Sequence, residues 1–372
     1  MSVAETQIES LLVASASEAT STPLDFFNLE VDEAIVKLGE IAGKKFHGSS
    51  FVSFVYKHKI TNPLLMTSIP AAVREKMKDS VVIKGLPVKK RLVSKDGTVK
   101  FLLEVQTPKG PDEIECVYLP DPERVTLCVS SQVGCKMGCK FCLTAQLGWK
   151  GNLSAGDIVK QIFTVEQDPE LRPITNIVFM GMGEPFDNFE EVKKATRILT
   201  DSRAFEKSGR KITVSTVGHV DKIDALKKED PFKLAVSLNA SNDKTRSEIM
   251  PINKRYNIQE LMRACRDYAE RTNKKVTFEY ILMSGLSDSV EDAKRLVQLL
   301  RGIPCKINLI PYNESKFTDF KRPSDERISN FHSFLVDRGF AAFTRKNRGN
   351  DIFAACGMLK KENPDFKEPK IA

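Results

Sequence analysis

Between residues 125 and 338, short apolar runs alternate with segments whose apolar residues recur every three or four positions. The runs at 125–131, 175–181, 211–216, 233–238, 275–283 and 305–311 predict buried strands. Segments 154–167, 189–200, 219–228, 258–271 and 290–301 lie between them with helical spacing, and 324–338 follows the sixth strand. Six β/α units in this order predict an α/β chain whose parallel sheet curves into a partial TIM-type (β/α)6 barrel. Reactive groups then belong at the carboxyl ends of the strands.

Upstream, 31–43, 48–57 and 70–78 carry helical periodicity, and Pro70 suits a first turn, so a small N-terminal helical domain is expected. The run KGLPVKKRLVSKDGTVKF at 84–101 reads as a β-hairpin turning at Lys95-Asp96-Gly97. In TPKGPD, at 107–112, proline and glycine break any pattern and predict a linker. The expected division is 1–107, 108–347 and 348–372.

A chain of 372 residues, 41% hydrophobic, can bury one large core and a smaller domain. Its first residues are acidic and small-polar, and no long apolar run occurs, so neither secretion nor membrane spanning is expected. Eight cysteines are too few for a disulfide scaffold. Their clustering suggests metal or redox chemistry in a reducing compartment, hence a cytoplasmic location. A net charge of +8 admits a polyanionic partner. The hairpin concentrates Lys84, Lys89, Lys90, Arg91, Lys95 and Lys100 against the single acid Asp96, and Arg345, Lys346 and Arg348 cluster near Cys356.

The run CVSSQVGCKMGCKFC spaces Cys135, Cys139 and Cys142 as C-x3-C-x2-C with no local fourth ligand. Three thiolates on a four-iron cluster leave one iron open to a ligand, whereas electron-transfer ferredoxins and structural zinc sites take four ligands. A zinc loop completed from elsewhere, or three cysteines packed as small apolar residues, also fits the bare pattern. The second strand ends in Gly181-Met182-Gly183-Glu184-Pro185, where the glycines let the backbone approach a ligand and Glu184 can accept from an ammonium group. Ser215 ends the third strand, Ser237, Leu238 and Asn239 end the fourth, and Asn313 follows the sixth. Singly these are ordinary turn residues; together they share a rim.

The cysteine spacing, with Phe141 before the last cysteine, resembles the radical S-adenosylmethionine (SAM) superfamily. The ordered runs TLCVSSQVGC, NIVFMGMGEP, LAVSLNA, IMPINKRYNI, INLIPYN and RGNDIFAACG resemble the RlmN/Cfr family of RNA adenine methyltransferases. The resemblance implies a barrel of the radical SAM kind with one 4Fe-4S cluster on Cys135, Cys139 and Cys142. It implies two SAM molecules per turnover and SAM contacts from Gly183, Glu184, Ser215, Ser237, Leu238, Asn239 and Asn313. Carbon 2 of adenine is electron-poor and cannot attack a sulfonium methyl, so a radical route is needed. By the resemblance, Cys356 is first methylated as a thiolate, which Arg345, Lys346 and Arg348 are expected to favour. A 5'-deoxyadenosyl radical then takes hydrogen from that methyl group, and the carbon radical adds to the adenine. Glu115, in IECVYLP, matches the proton acceptor, and Cys128 the thiol that closes a transient disulfide with Cys356. Cys116, Cys265 and Cys305 match no role.

The implied partners are 23S rRNA and tRNA, read at single-stranded or loop adenines, with the N-terminal domain and its basic hairpin as an RNA-binding accessory and the Arg345 patch also on phosphates. An electron donor such as flavodoxin or ferredoxin is implied, and a monomer is expected. RlmN-type methylation of C2 fits the C-terminal run better than Cfr-type methylation of C8. A basic, zinc-containing RNA-binding protein without catalysis is the reading from another class. Three departures from the family pattern stand out: Asn239 replaces the usual His, Met358 replaces Gln, and the tail after Cys356 is short.

Overall fold

A computed structural model describes residues 23–315 and 318–359; the acidic N-terminal stretch and the end of the short tail lie outside them. Helices α1 (Val31–Ala42), α2 (Lys45–Tyr56) and α3 (Ala71–Ser80) form the N-terminal layer. Asp32 and Glu33 in the first turn of α1 complement the helix dipole. Strands β1 (Val88–Val93), β2 (Val99–Thr107), β3 (Gly110–Pro120) and β4 (Val125–Val129) follow as an antiparallel meander.

From β4 onward the sheet is parallel. Helices α4 (Ala155–Val165), α5 (Phe189–Thr200), α6 (Val220–Ala225), α7 (Ile258–Thr272), α8 (Val290–Leu300) and α9 (Asp325–Val336) alternate with β5 (Asn176–Phe179), β6 (Ile212–Thr216), β7 (Lys233–Ser237), β8 (Val276–Leu282), β9 (Cys305–Pro311) and β10 (Ala342–Thr344). All ten strands lie in one sheet in chain order, β10 to β1. The six expected units are present as a partial barrel, with β10 as a seventh parallel strand that sequence periodicity missed. Side-chain caps start the crossover helices: Ser154 accepts from Asp157 N, Asn257 and Glu260 form a capping box, and Ser289 and Asp292 form another.

Two expectations change. The hairpin turns where predicted, but it belongs to the barrel sheet, since β2 pairs with β3 along its whole length. The residues expected to be a linker are the tight turn of that second hairpin, in which Thr107 Oγ1 donates to Gly110 O at 2.7 Å. A boundary at residue 107 therefore cuts through a continuous sheet. The N-terminal helices also share the barrel's core. Phe27 meets Phe163 of α4 with ring centroids 4.5 Å apart, and Lys59 pairs with Glu166 at 2.8 Å. Leu86 N donates to Thr164 Oγ1 at 2.8 Å.

Because Phe163 is fully buried in this joint, Phe163→Ala is expected to cost about 3–5 kcal/mol of unfolding free energy in a urea titration. Helical and barrel signals should be lost in one transition; a loss below about 1 kcal/mol, the size of an ordinary substitution, contradicts the shared core.

Candidate active site

The loop after β4 is held by backbone hydrogen bonds along its length. Ser131 N and Gln132 N donate to Met182 O at 2.9 and 3.2 Å, Cys135 N to Gly148 O at 2.9 Å, and Lys140 N to Ile249 O at 3.0 Å. Gly134 has φ +74°, and a Cβ there would stand 1.8 Å from Gly148 O, so only glycine fits. The C-terminal segment is tied onto the same loop. Leu143 N donates to Gly357 O at 2.8 Å, Thr144 Oγ1 to Leu359 O at 2.7 Å, and Asn313 Nδ2 to Cys356 O at 3.3 Å.

These ties bring Cys356 to a cavity of about 160 Å³ that Cys135, Cys139 and Cys142 also line, at the carboxyl ends of the strands. Gly183, Glu184, Ser215, Ser237, Asn239 and Asn313 complete the set of expected residues in that wall, among Met137, Phe141, Met250, Ile281 and Tyr312. Glu184 is fixed by Phe186 N on Oε1 and Val217 N on Oε2, each at 2.9 Å, and burial pushes its carboxyl up to about 7. Asn239 sits at φ +58°, a region asparagine tolerates better than most residues. Its Oδ1 accepts from Ile281 N at 3.1 Å, tying β7 to β8.

Three expected site residues lie elsewhere. Cys128 lines a second, larger cleft of about 590 Å³, which Cys356 also reaches, so Cys356 stands where the two spaces meet. Leu238 does not line the cavity. Its side chain is fully buried, its N–H donates to Glu279 O at 3.0 Å, and its carbonyl accepts from Arg246 Nε at 3.1 Å. Glu115 on β3 lines neither space and is ion-paired to Lys100 Nζ at 2.9 Å.

The electrostatics correct further expectations. Burial pushes the Cys356 thiol up, and Arg345 opposes that shift without reversing it. Arg348 is engaged elsewhere, donating to Pro120 O at 2.6 Å and pairing with Asp121 at 3.2 Å. Lys100, expected on the hairpin surface, is only 6% exposed and serves Glu115. The freedom of Gly183 serves chain packing as well: at φ +102°, a Cβ would lie 2.6 Å from the Gln132 Cβ. Sequence reasoning also missed Arg246 and Glu279. Fully buried Arg246 braces the strand ends by donating to Val217 O at 2.7 Å and Asn253 Oδ1 at 2.9 Å. Glu279 was legible only as a lone acid inside the apolar run 275–283.

Among the described residues, no three His, Cys, Asp or Glu side chains converge as the ligands of a single ion would. The three loop cysteines line one cavity wall as separate sulfur donors, a donor set that fits a four-iron cluster with one iron open to a further ligand. Burial raises all three thiols, Cys135 to about 12. No described helix is long and apolar enough to cross a membrane.

Known proteins resemble this chain over most of its length. The Radical SAM superfamily model matches residues 129–298. The chain is 43% identical over 327 residues to a protein of Myxococcus xanthus named dual-specificity RNA methyltransferase RlmN 2, covering 86% of each chain. It is 43% identical over 338 residues to dual-specificity RNA methyltransferase RlmN of Francisella tularensis subsp. novicida, covering 88% of this chain and 90% of the relative. The crystal structure of a radical SAM methyltransferase from Sphaerobacter thermophilus superposes with a TM-score of 0.84 at 40% identity, over 91% of this chain and 99% of that one. The chain, in which the three-cysteine loop and Cys356 line one cavity, therefore belongs to the RlmN family of radical SAM methyltransferases.

Proposed function

We propose that this enzyme methylates carbon 2 of adenine in 23S rRNA and in tRNA, with the Cys356 sulfur as the methyl carrier. The observation that supports this reading is Cys356 lining the cavity of Cys135, Cys139 and Cys142. A four-iron cluster on those thiols, with SAM on its open iron, supplies reductive cleavage of a carbon–sulfur bond and hydrogen-atom abstraction, while a second SAM per turnover supplies the methyl group. Gly183, Ser215, Ser237, Asn239 and Asn313 form the wall against which SAM is oriented, and Glu184 accepts from its ammonium group.

The remaining steps fall to this chain's side chains. Arg345 lowers the cost of ionising the Cys356 thiol, which must be a thiolate to take a methyl group. Glu115, ion-paired to Lys100 Nζ at 2.9 Å, takes the adenine proton. Cys128, having lost its proton, then forms a bond to the Cys356 sulfur as the carbon–sulfur bond breaks; the bonding pair stays with the product carbon, which takes up a proton to become the methyl group, and the resulting disulfide is returned to two thiols by an external dithiol reductant. Lys84, Lys89, Lys90, Arg91 and Lys95 on the hairpin side meet RNA phosphates. Lys89–Glu104 and Arg91–Asp168 are exposed pairs worth about 0–1 kcal/mol, so they yield readily to a polyanion. The reading includes a one-electron donor such as flavodoxin or ferredoxin, a cytoplasmic location, a monomer, and the C-terminal segment 348–372 as methyl carrier. C8 methylation is not favoured, because the relatives named above are RlmN enzymes.

Cys356→Ala is expected to abolish 2-methyladenosine in nucleoside mass spectrometry of RNA from a complemented deletion strain, with iron and sulfide content unchanged; persistent methylation contradicts the carrier role. RNA from the wild type should contain 2-methyladenosine, and 8-methyladenosine in its place overturns the C2 assignment. Reversing charge at Lys89, Lys90 and Arg91 should weaken RNA binding and flatten the salt dependence of log K by about three. Reductive SAM cleavage should persist, and unchanged RNA affinity rejects the hairpin's role.

A further inference from the structure

The cysteine loop has two sides. Cys135, Met137, Cys139 and Phe141 line the cavity, whereas the residues that alternate with them, Lys136, Gly138 and Lys140, are exposed. The loop is therefore a wall one backbone thick, with sulfur on its inner side and ammonium groups on its outer side. A neighbouring segment is tied against it: Lys140 N donates to Ile249 O at 3.0 Å, and a Cβ at Gly138 would stand 3.4 Å from Pro251 Cγ. That segment continues into exposed Lys254 and Arg255. Burial holds His219 below its ordinary pKa, and Arg255 and Lys136 act in the same direction against Asp187 and Asp221. Cations from the two segments thus converge around one ring.

Trp149, the one tryptophan of the chain, belongs to the same face. It opens the short strand Trp149–Asn152, which pairs antiparallel with Gln132–Gly134 at the start of the loop. Lys136 Nζ stands 5.7 Å from the centre of its ring, and the residue is 47% exposed. A large aromatic left half in solvent beside cations has the makeup of an interface anchor. The acids here lie beneath the cations. Asp187 pairs with Lys136 at 3.5 Å and Asp112 with Lys150 at 2.7 Å, and these acid side chains are 12 and 11% exposed against 56 and 44% for the lysines. Lys140, Lys254 and Arg255 make no ion pair among the described residues. The face is complementary to an acidic protein.

The chemistry proposed above needs an electron delivered to the inner side of this loop. Electron transfer slows exponentially with distance, so the carrier has to sit where the wall is thinnest. RNA has a different destination, because its base must reach Cys356 on the inner side. We infer that the outer face of the cysteine loop, made of Lys136, Lys140, Trp149, Lys150, Lys254 and Arg255, is the docking surface for an acidic one-electron carrier protein. This docking rests on the function proposed above, since only a reducible cluster inside the loop gives the carrier a destination. One electron passes from the carrier to the cluster, the carrier is oxidised by one electron, and no atom is transferred. Interfaces of this kind are small, polar and electrostatically steered.

The test is calorimetric titration of the anaerobically reconstituted full chain with two acidic probes, a flavodoxin and a 2Fe-2S ferredoxin. The wild type should bind at least one of them, and more weakly as salt rises. Lys254→Glu with Arg255→Glu, and separately Trp149→Ala, should each weaken that binding about tenfold or more. The charge-reversed protein should also lose most of the salt dependence. In stopped-flow measurements, cluster reduction by the reduced probe should slow in step with affinity, while reduction by dithionite and affinity for RNA stay unchanged. Unchanged iron content and melting temperature show that the variants are folded, and the wild-type titration does not depend on them. A wild type that binds neither probe, or variants that bind as tightly as the wild type, overturns the inference. RNA affinity that falls on charge reversal while probe affinity holds assigns the face to RNA and overturns it as well. A wild type that assembles no four-iron cluster overturns the proposed function itself, an outcome separate from failure of the docking alone.

Discussion

The structure depends on tying the C-terminal segment to the cysteine loop. Hydrogen bonds from Leu143 N to Gly357 O and from Thr144 Oγ1 to Leu359 O hold two stretches more than two hundred residues apart in register. Without them Cys356 has no reason to face Cys135, Cys139 and Cys142. Under the proposed function the three sulfurs hold a cofactor and the fourth, lining the same cavity, gives the chemistry a destination. Because Cys356 also reaches the cleft that Cys128 lines, the same tie brings these two thiols to one space.

Burying these groups has a cost that the fold offsets locally. The Cys128 and Cys356 thiols are pushed up by burial, and Arg345 is the cation set against that penalty. Glu115 and Lys100 neutralise each other inside the sheet. Arg246 spends its donors on carbonyls at the strand ends, where parallel strands run out of ladder partners. The hydrogen bonds that hold the rim are thus made between groups of the protein itself, which is the condition for a preorganised site.

Much of the fold was legible because parallel barrel strands are buried on both faces and read as uninterrupted apolar runs. Helix α5 falls where periodicity predicted it, and β9 keeps the expected bounds of 305–311. Strand β10 escaped because it is three residues long and largely exposed. The misread linker shows a different limit. Proline and glycine serve a tight hairpin and a flexible joint equally well, and only the pairing of Thr107 with Gly110 separates the two. At the site, the family motifs identified residues but not partners. Lys100 counted as surface charge until Glu115 was found beside it, and Arg348 as a thiol activator until Asp121 and Pro120 claimed it. Glu279 fell outside every motif, although its position in the cavity wall is set by the same strand that the apolar pattern revealed.

The central claim is that the Cys356 sulfur, and no other, carries the methyl group across the cavity. The most direct measurement is peptide mass spectrometry of the reconstituted enzyme after incubation with methyl-deuterated SAM and reductant in the absence of RNA. The account predicts one labelled methyl group on Cys356, released when RNA is added. A label on another cysteine, or an unmodified Cys356 in enzyme that still methylates RNA, contradicts it.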